Sequence, residues 1–275
     1  MIDAFGSWVG RSQIIPLGHQ LKVGVPRYPA HPPFMYSLTN TLGDGFGSVP
    51  GQDPRAEGAS DVISMGVHTG THQDGLVHMA WDGKLHDGTD FRDPGVMDYS
   101  TGIHMKTISE NIRPIAAPGI LLDFPVYEGI KALPADYPIT PEVMQRCADK
   151  FGLSFNKGEV VLIRTGWDTK YDSMKDFLGS GNPGPTIEAA RMLIDNGVIA
   201  SGADTMPYEA IPAVVANEVH IELLVKAGVF ILETMDLRAL SAAKGYRFFF
   251  VSAPLRIFGQ TGSPVCPLAI VPNAS

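Results

Sequence analysis

The feature that most constrains the fold is the alternation of short apolar runs with helical segments between residues 119 and 235. The helical segments begin at a capping residue or a proline, and two of them end at a glycine. Such alternation is typical of βαβ units, in which helices join parallel strands, so it predicts an α/β fold. The predicted strands are 119–124, 159–167, 198–204 and 229–235, and the predicted helices run from Thr140 to about Phe151, from Gly184 to Ile194 and from Asn217 to Lys226.

The N-terminal part of the chain has a different character. The sequence contains 30 glycines and 22 prolines, concentrated in the first half and at the C-terminus, which favours long irregular connections there. Four prolines between Leu21 and Phe34 exclude a helix. This segment is either a wrapping arm or edge strand, or a loop that lines a pocket. We expect one domain over residues 1–275, with residues 1–60 as a proline- and glycine-rich arm.

Charge and composition exclude several classes of protein. The 21 Lys and Arg residues against 29 Asp and Glu residues give a net charge of −8, which argues against a nucleic-acid binder. No apolar run approaches the roughly 20 residues of a membrane span, and the first residues lack the pattern of a signal peptide, so we expect a cytoplasmic protein. Cys147 and Cys266 fit neither a disulfide framework nor a CxxC metal site. Any metal must therefore be held by histidines and carboxylates.

Polar side chains lie near the ends of the predicted strands. Asp123, Arg164, Asp204 and Glu233 each occupy such a position. Open α/β sheets bind ligands at the carboxyl ends of their strands, which makes these residues candidates for a site. The alternative is that strand ends are simply where a chain becomes polar.

Four histidines, at positions 68, 72, 78 and 86, fall within nineteen residues. Imidazole is the commonest ligand for zinc and similar ions, and catalytic sites typically use three protein ligands, so His68, His72 and Asp74 form a candidate metal set. In a straight strand positions 68 and 72 would lie about 13 Å apart at ~3.3 Å per residue. The chain must therefore turn between them. Gly70, with Thr69 and Thr71 beside it, would supply a turn or a helix start, and one helical turn would bring both histidines to one face.

The run HTGTHQD at residues 68–74, followed four residues later by His78, resembles the signature of the metal-dependent cyclase family. This family includes bacterial kynurenine formamidases, isatin hydrolases and trans-dienelactone hydrolases. The resemblance extends to PRYPAHPPF, GILLDF, VLIRTGW, SGADT and VHIELLVKAGVFILETM. It implies a β-rich, mixed α/β fold, the swivelling β/β/α domain of the family, in a homodimer or homotetramer.

The resemblance also implies roles for individual residues. His68, His72 and Asp74 would ligate a divalent metal, Zn²⁺ or Mn²⁺, with His78 as general base or acid. His220 and Glu233 match positions that complete the catalytic site or hold a second metal. One departure is Gly75-Leu76, where the formamidase motif commonly has a proline two residues after the aspartate.

The residues themselves also indicate that His220 and Glu233 point inward. His220 shares a helix face with Leu223, Leu224 and Ala227. Glu233 interrupts an apolar run, and a buried carboxylate is costly unless it is paired or bound to a metal. A structural hydrogen bond between the two side chains would also satisfy them.

We therefore expect a metal-dependent hydrolase that acts on a small-molecule substrate. It would cleave the C–N or C–O bond of a cyclic amide, imide, lactone or acyl-amide, with a metal-activated water and His78 as base. No GxSxG motif supports a serine nucleophile. The alternative is a non-catalytic metal- or ligand-binding oligomer on the same scaffold.

Overall fold

A nine-stranded mixed sheet organises the computed structural model, which describes residues 2–44, 53, 55–107, 110–179, 181–213 and 215–273. Its strand order is β1-β15-β13-β7-β9-β11-β12-β4-β14. The strands of the described residues are β1 (Ser12–Pro16), β2 (Met35–Asn40), β3 (Ser60–Ser64), β4 (His72–Asp74), β5 (Met97–Asp98), β6 (Gly102–Ile103), β7 (Ile115–Asp123), β8 (Pro138–Ile139), β9 (Val160–Arg164), β10 (Gly184–Pro185), β11 (Ala200–Ala203), β12 (Phe230–Glu233), β13 (Arg247–Ser252), β14 (Gly262–Pro264) and β15 (Leu268–Pro272).

The helices of the same residues are short. They are α1 (Ile2–Val9), α2 (Phe124–Glu128), α3 (Pro141–Lys150), α4 (Met174–Leu178), α5 (Ile187–Asp195), α6 (Glu218–His220), which continues as a π-helix over Ile221–Ala227, and α7 (Arg238–Ala242). Among the described residues, none of these helices is long and apolar enough to cross a membrane.

Four parallel strands, β7, β9, β11 and β12, form the centre of the sheet. Strands β9, β11 and β12 are buried along their whole length, with α2 against β9 and the π-helix 221–227 against β12. These are the four strands that the sequence predicted, and their bounds differ from the predicted ones by a few residues. The prediction of a mixed, strand-rich α/β fold is confirmed.

The antiparallel strand β4 positions the histidine motif. It lies between β12 and β14, and its register sets His72 opposite Glu233 on one side and Pro264 on the other. A short three-residue strand thereby brings the motif beside a residue that is far away in sequence. Of the two forms predicted at Gly70, a turn or a helix start, the structure has the turn, and the chain continues from it as β4.

Three other local predictions need correction. Gly184 and Pro185 do not start a helix, since they pair with β8; α5 begins after Thr186, whose hydroxyl accepts from the Ala189 N–H. Asn217 occupies the position just before α6, as predicted, but its φ is left-handed at 60° and its side chain makes no capping hydrogen bond. Trp167 does not end a strand, because β9 stops at Arg164.

The described part of the N-terminal arm contributes elements to the fold. Strand β1 pairs with β15 at the sheet edge, and β2 and β3 form a separate two-stranded ribbon with exposed apolar side chains. No helix interrupts residues 21–34, as the prolines predicted. Residues 45–52 and 54 of the predicted arm lie outside the described residues. The single-domain boundaries and the homo-oligomer remain predictions.

The turn at Gly70 gives a stability test. Gly70 has φ 71°, and an added Cβ would lie 2.5 Å from Leu21 Cδ2. Gly88 has φ 80° with nothing near an added Cβ, so it provides a matched control. Gly88→Ala should cost about 1–2 kcal/mol from backbone strain alone, and Gly70→Ala should lower the free energy of unfolding further. Urea titrations measure both values, and equal losses would contradict a steric contribution from Leu21.

Candidate active site

The motif residues reach one point because of strand geometry. His72 and Asp74 are alternate residues of β4, so their side chains lie on the same face of the strand. His68 approaches this face from the turn before β4. Gln73, between them, points away and hydrogen-bonds to the Arg113 carbonyl and the Ser252 hydroxyl.

Asp74 is the centre of the cluster. One carboxylate oxygen, Oδ1, lies 2.8 Å from His68 Nδ1 and 3.6 Å from His72 Nε2. The other, Oδ2, lies 3.8 Å from His220 Nε2. All three predicted ligands therefore lie around one carboxylate, and a third imidazole, that of His220, joins them.

The donor atoms of this cluster fit a cation. Asp74 is 1% exposed, and no backbone, amide or hydroxyl group of the described residues hydrogen-bonds to its oxygens, whose close polar neighbours are imidazole nitrogens. A buried carboxylate in this state is costly unless a positive charge is nearby. Four ligands at 2.0–2.1 Å around a tetrahedral ion would lie roughly 3.3 Å from one another. The distances from Asp74 to the three histidines lie near this value, but among the described residues His68 and His72 do not share a group with the spacing of metal ligands.

In both His68 and His72, the ring nitrogen that points away from Asp74 makes a second contact. His72 Nδ1 lies 2.8 Å from the Gly70 carbonyl, which can only accept, so Nδ1 carries the proton and Nε2 faces Asp74. His68 Nε2 lies 3.0 Å from the Thr261 hydroxyl, and its Nδ1 faces the carboxylate. Such outer contacts fix the tautomer and orientation of metal-binding histidines.

His220 and Glu233 meet in the same place. His220 Nε2 lies 3.1 Å from Glu233 Oε1, and Glu233 Oε2 lies 3.4 Å from His72 Nε2. Asp74, His220 and Glu233 form one group with the spacing of metal ligands, and His68, Asp74 and His78 form another. Asp74 is common to both groups.

One loop holds this second group. The Tyr208 N–H donates to Glu233 Oε1 at 2.7 Å, and the Glu209 carboxylate hydrogen-bonds to His220 Nδ1. The side-chain amide of Asn182 donates to the carbonyls of Pro207 and Glu209, which fixes the loop itself. Glu209 therefore orients His220 so that Nε2 faces the cluster.

The electrostatics of the second group follow from burial and charge. Burial would lower the pKa of His220, but the carboxylates of Glu209 and Glu233 raise this pKa well above its usual value. Burial would raise the pKa of Asp74, but His78 and His68 hold it well below its usual range. Since ligands must be deprotonated, a metal bound by His220 would have to displace the proton that this raised pKa keeps on the ring.

His78 lies beside the cluster and is half-buried. Its ring centre is 4.1 Å from that of His68 and 6.2 Å from that of His220. Burial lowers the pKa of His78 to about 4, opposed by Asp74 and reinforced by His68. The ring is therefore neutral at pH 7 and can accept a proton. Its position allows either a base or a further ligand, the two roles that the sequence left open.

A cavity of about 710 Å³ opens above the cluster. Its walls include Met79, Leu178 and Met206, and Tyr28 and His31 of the arm also line it. The segment from Leu21 to Phe34 thus contributes a loop that lines a pocket. The cavity is of the size that encloses a small organic molecule.

The other candidates from the sequence lie elsewhere. Arg164 pairs with Asp123 at 3.2 Å and with Asp168 at 2.9 Å, and Asp204 accepts the N–H groups of Thr165 and Gly166. This buried network is structural, so of the four polar residues at strand ends only Glu233 reaches the site. His86 Nδ1 lies 2.8 Å from the Val225 carbonyl, outside the cavity.

Sequence reasoning missed Glu209, Thr261 and His31. Glu209 and Thr261 contact the histidines only in the folded chain, and no motif in the sequence includes them. His31 lies among the prolines of PRYPAHPPF. The alternative that this segment forms a pocket-lining loop was the one sequence-based indication of its position.

Residues 15–210 match the Cyclase family model. The chain belongs to the cyclase family. This match confirms the resemblance inferred from residues 68–78. The chain is similar in sequence to isatin hydrolase from Roseibium aggregatum, with 28% identity over 76% of this chain and 74% of the relative's length. The relative, together with the donor set of the site, supports a metal-dependent hydrolase.

Solved structures share the fold of this cyclase-family chain. A crystal structure of a cyclase matches with a TM-score of 0.84 and 24% identity, over 98% of this chain and 90% of the other. An isatin hydrolase bound to the product analogue thioisatinate matches with a TM-score of 0.72 and 20% identity, over 99% and 98% of the two chains. The fold expected from the resemblance is thereby confirmed.

The contact between Glu209 and His220 gives a test of the second group. Glu209→Ala leaves His220 Nδ1 without its partner and should lower metal affinity about 10–100-fold, the usual effect of losing such an orienting contact. Glu209→Gln retains an acceptor oxygen and should recover most of the affinity. Competition with a chelator measures the metal affinity of each variant, and circular dichroism checks that each variant is folded. Metal affinity unchanged in Glu209→Ala would contradict an orienting role.

Proposed function

We propose that this cyclase-family protein hydrolyses the C–N or C–O bond of a small cyclic amide, imide, lactone or acyl-amide. The observation that carries the proposal is the buried Asp74 carboxylate, surrounded by imidazoles at the base of a cavity, with the neutral ring of His78 beside it. A carboxylate and histidine cluster that opens to a cavity has both of the parts that hydrolysis needs: a cation site and a proton acceptor.

The proposed ligands are His68, His72 and Asp74, and a Zn²⁺ or Mn²⁺ ion suits imidazole and carboxylate donors. When bound, such an ion acts as a Lewis acid that polarises a carbonyl and lowers the pKa of water toward ~7. Glu233 and His220 lie against the same carboxylate. Their proposed role is to complete the site, either as further ligands or as groups that hold a proton next to it.

The proposed role of His78 is proton transfer. A base must lie within hydrogen-bond reach of the attacking water and then return the proton to the leaving nitrogen or oxygen. His78 borders both the cluster and the cavity, and none of the side-chain hydrogen bonds in the described residues occupies its ring. Attack on the carbonyl carbon, followed by breakage of the C–N or C–O bond, gives an acid and an amine or alcohol.

The substrate class rests on the cavity and on the relative. Apolar walls suit a flat hydrocarbon framework, and the base of the cavity suits its carbonyl. Isatin is a cyclic amide of this kind, and its hydrolase is the curated relative described above. Among the proposed substrates, this inference favours a small cyclic amide.

Turnover tests the proposed reaction. The protein, loaded separately with Zn²⁺ and Mn²⁺, is assayed on isatin, imides, lactones and N-formyl aromatic amines. We expect hydrolysis of at least one compound, loss of activity with a chelator and recovery when metal is added. Metal binding without turnover of any compound would instead favour the non-catalytic binding protein.

A pair of variants tests the roles of ligand and base. His72→Ala should remove most of the bound metal, because it deletes a ligand of the cluster. His78→Ala should retain the metal and lose roughly 10²–10⁴-fold in turnover, the usual contribution of a general acid or base. Metal content per chain is measured by elemental analysis. Equal metal loss in the two variants would show that His78 is a ligand.

A further inference from the structure

A second cavity, of about 580 Å³, lies between segments 111–114 and 254–260. None of its lining residues borders the cavity above the histidine cluster. Gln73, between the two proposed ligands of β4, points away from them, because successive side chains of a strand alternate between its faces. The Gln73 amide donates to the Arg113 carbonyl in the wall of the second cavity. This cavity is therefore separate from the cluster but adjoins the strand that carries it.

Two arginines, Arg113 and Arg256, line the second cavity. Among the described residues, neither guanidinium takes part in an ion pair or a side-chain hydrogen bond, and that of Arg113 lies over the ring of Phe230, 5.6 Å from its centre. Acidic residues outnumber basic ones in the chain by 29 to 21, yet no acidic residue lines this cavity. The cavity is thus a basic recess in an acidic protein, and the planar guanidinium group matches the geometry of a carboxylate.

The rest of the wall is mostly apolar. Leu255, Ile257 and Phe258 line the cavity and are 54%, 49% and 71% exposed. Exposed apolar side chains that cluster around a recess mark a binding site. An inorganic anion would leave these side chains in water, whereas an aromatic carboxylate would contact both them and the guanidinium groups. The volume suits a small organic molecule.

The loop that carries Arg256 is fastened at both ends. The Leu255 N–H donates to the Ser263 hydroxyl at 2.8 Å, and the side-chain amide of Gln260 donates to the Leu255 carbonyl at 2.7 Å. Ser263 belongs to β14, which pairs with β4. The backbone of this loop is therefore fixed relative to the sheet.

Hydrogen bonds also connect both walls of the second cavity to the metal-binding motif. The Asn111 carboxamide oxygen accepts the Val77 N–H at 3.0 Å, and its NH₂ group donates to the Gln260 carbonyl at 2.7 Å. The next residue, Thr261, contacts His68. A ligand that restrains the two walls therefore also restrains the backbone on both sides of β4.

We propose that the second cavity is an effector site that binds a small aromatic carboxylate and thereby raises the metal affinity of the histidine cluster. The two guanidinium groups hold the carboxylate, and the apolar loop 255–258 contacts the ring. Because the walls hold His68 and the turn after Asp74, a bound ligand supplies part of the ordering that metal binding requires. Coupling between two binding sites is reciprocal, so metal strengthens carboxylate binding by the same factor. The inference does not depend on which reaction the cluster catalyses.

Calorimetric titration of the metal-free protein with benzoate tests the site. We expect saturable binding of benzoate and much weaker binding of formate, which lacks the ring, and of benzyl alcohol, which lacks the charge. Arg113→Gln and Arg256→Gln should each weaken benzoate binding roughly 2–5-fold, the usual range for an exposed ion pair. The control is Arg146→Gln, which removes the same charge from an exposed residue of α3 outside the cavity and should match the wild type.

Three results would overturn the site. The first is no benzoate binding by the wild type, and the second is equal weakening by Arg146→Gln and Arg256→Gln. The third is formate binding as tight as that of benzoate, which would remove the role of the apolar loop. A second copy of the chain that covers this face would give the first result, and Phe258→Asn would then lower the oligomeric state measured by analytical ultracentrifugation.

Chelator competition tests the coupling to the metal site. Benzoate at a concentration that saturates the wild type should raise its affinity for Zn²⁺ at least about 5-fold, the low end of typical coupling between sites. The double variant Arg113→Gln/Arg256→Gln should show a smaller rise, with circular dichroism as the check on folding. An unchanged metal affinity in the wild type, or the same rise in the double variant, would overturn the effector role. Neither measurement uses turnover, so both remain decisive if the proposed hydrolysis fails.

Discussion

A buried carboxylate, Asp74, is the group around which the structure is arranged. No backbone, amide or hydroxyl group of the described residues hydrogen-bonds to its oxygens, and imidazole nitrogens lie 2.8–3.8 Å from them instead. A charge buried in this way is stable only beside positive charge. In the protein without metal, protonated imidazoles supply it, as the raised pKa values of His72 and His220 indicate. A divalent cation would supply it in their place.

The fold serves this carboxylate by bringing three distant segments to one strand. The register between β4 and β12 sets His72 beside Glu233. In the loop before α6, the Glu209 carboxylate hydrogen-bonds to His220 Nδ1. His31 of the N-terminal arm lines the cavity. These segments depend on long-range contacts, so the site forms only when the sheet is complete. A hydrolytic site of this kind is therefore a property of the whole fold, even though its signature is local in sequence.

The sequence predicted what local patterns determine. The proposed ligands His68, His72 and Asp74 fall within seven residues, and the four parallel strands are apolar runs of ordinary length, so the sequence indicated both. Glu209 was not visible, since its link to His220 exists only in the folded chain. Gly184 was assigned to a helix because its pairing with β8 is non-local. Local sequence propensity could not show that Asp123 forms an ion pair with Arg164 and therefore lies outside the site.

Anomalous diffraction at a metal absorption edge tests the central claim most directly. Crystals of protein purified without a chelator, or soaked in Zn²⁺ or Mn²⁺, would be measured on both sides of the edge. The account predicts a peak about 2.0–2.2 Å from a carboxylate oxygen of Asp74 and from the ring nitrogens of His68 and His72. The absence of a peak, or a peak that Asp74 does not contact, would contradict it.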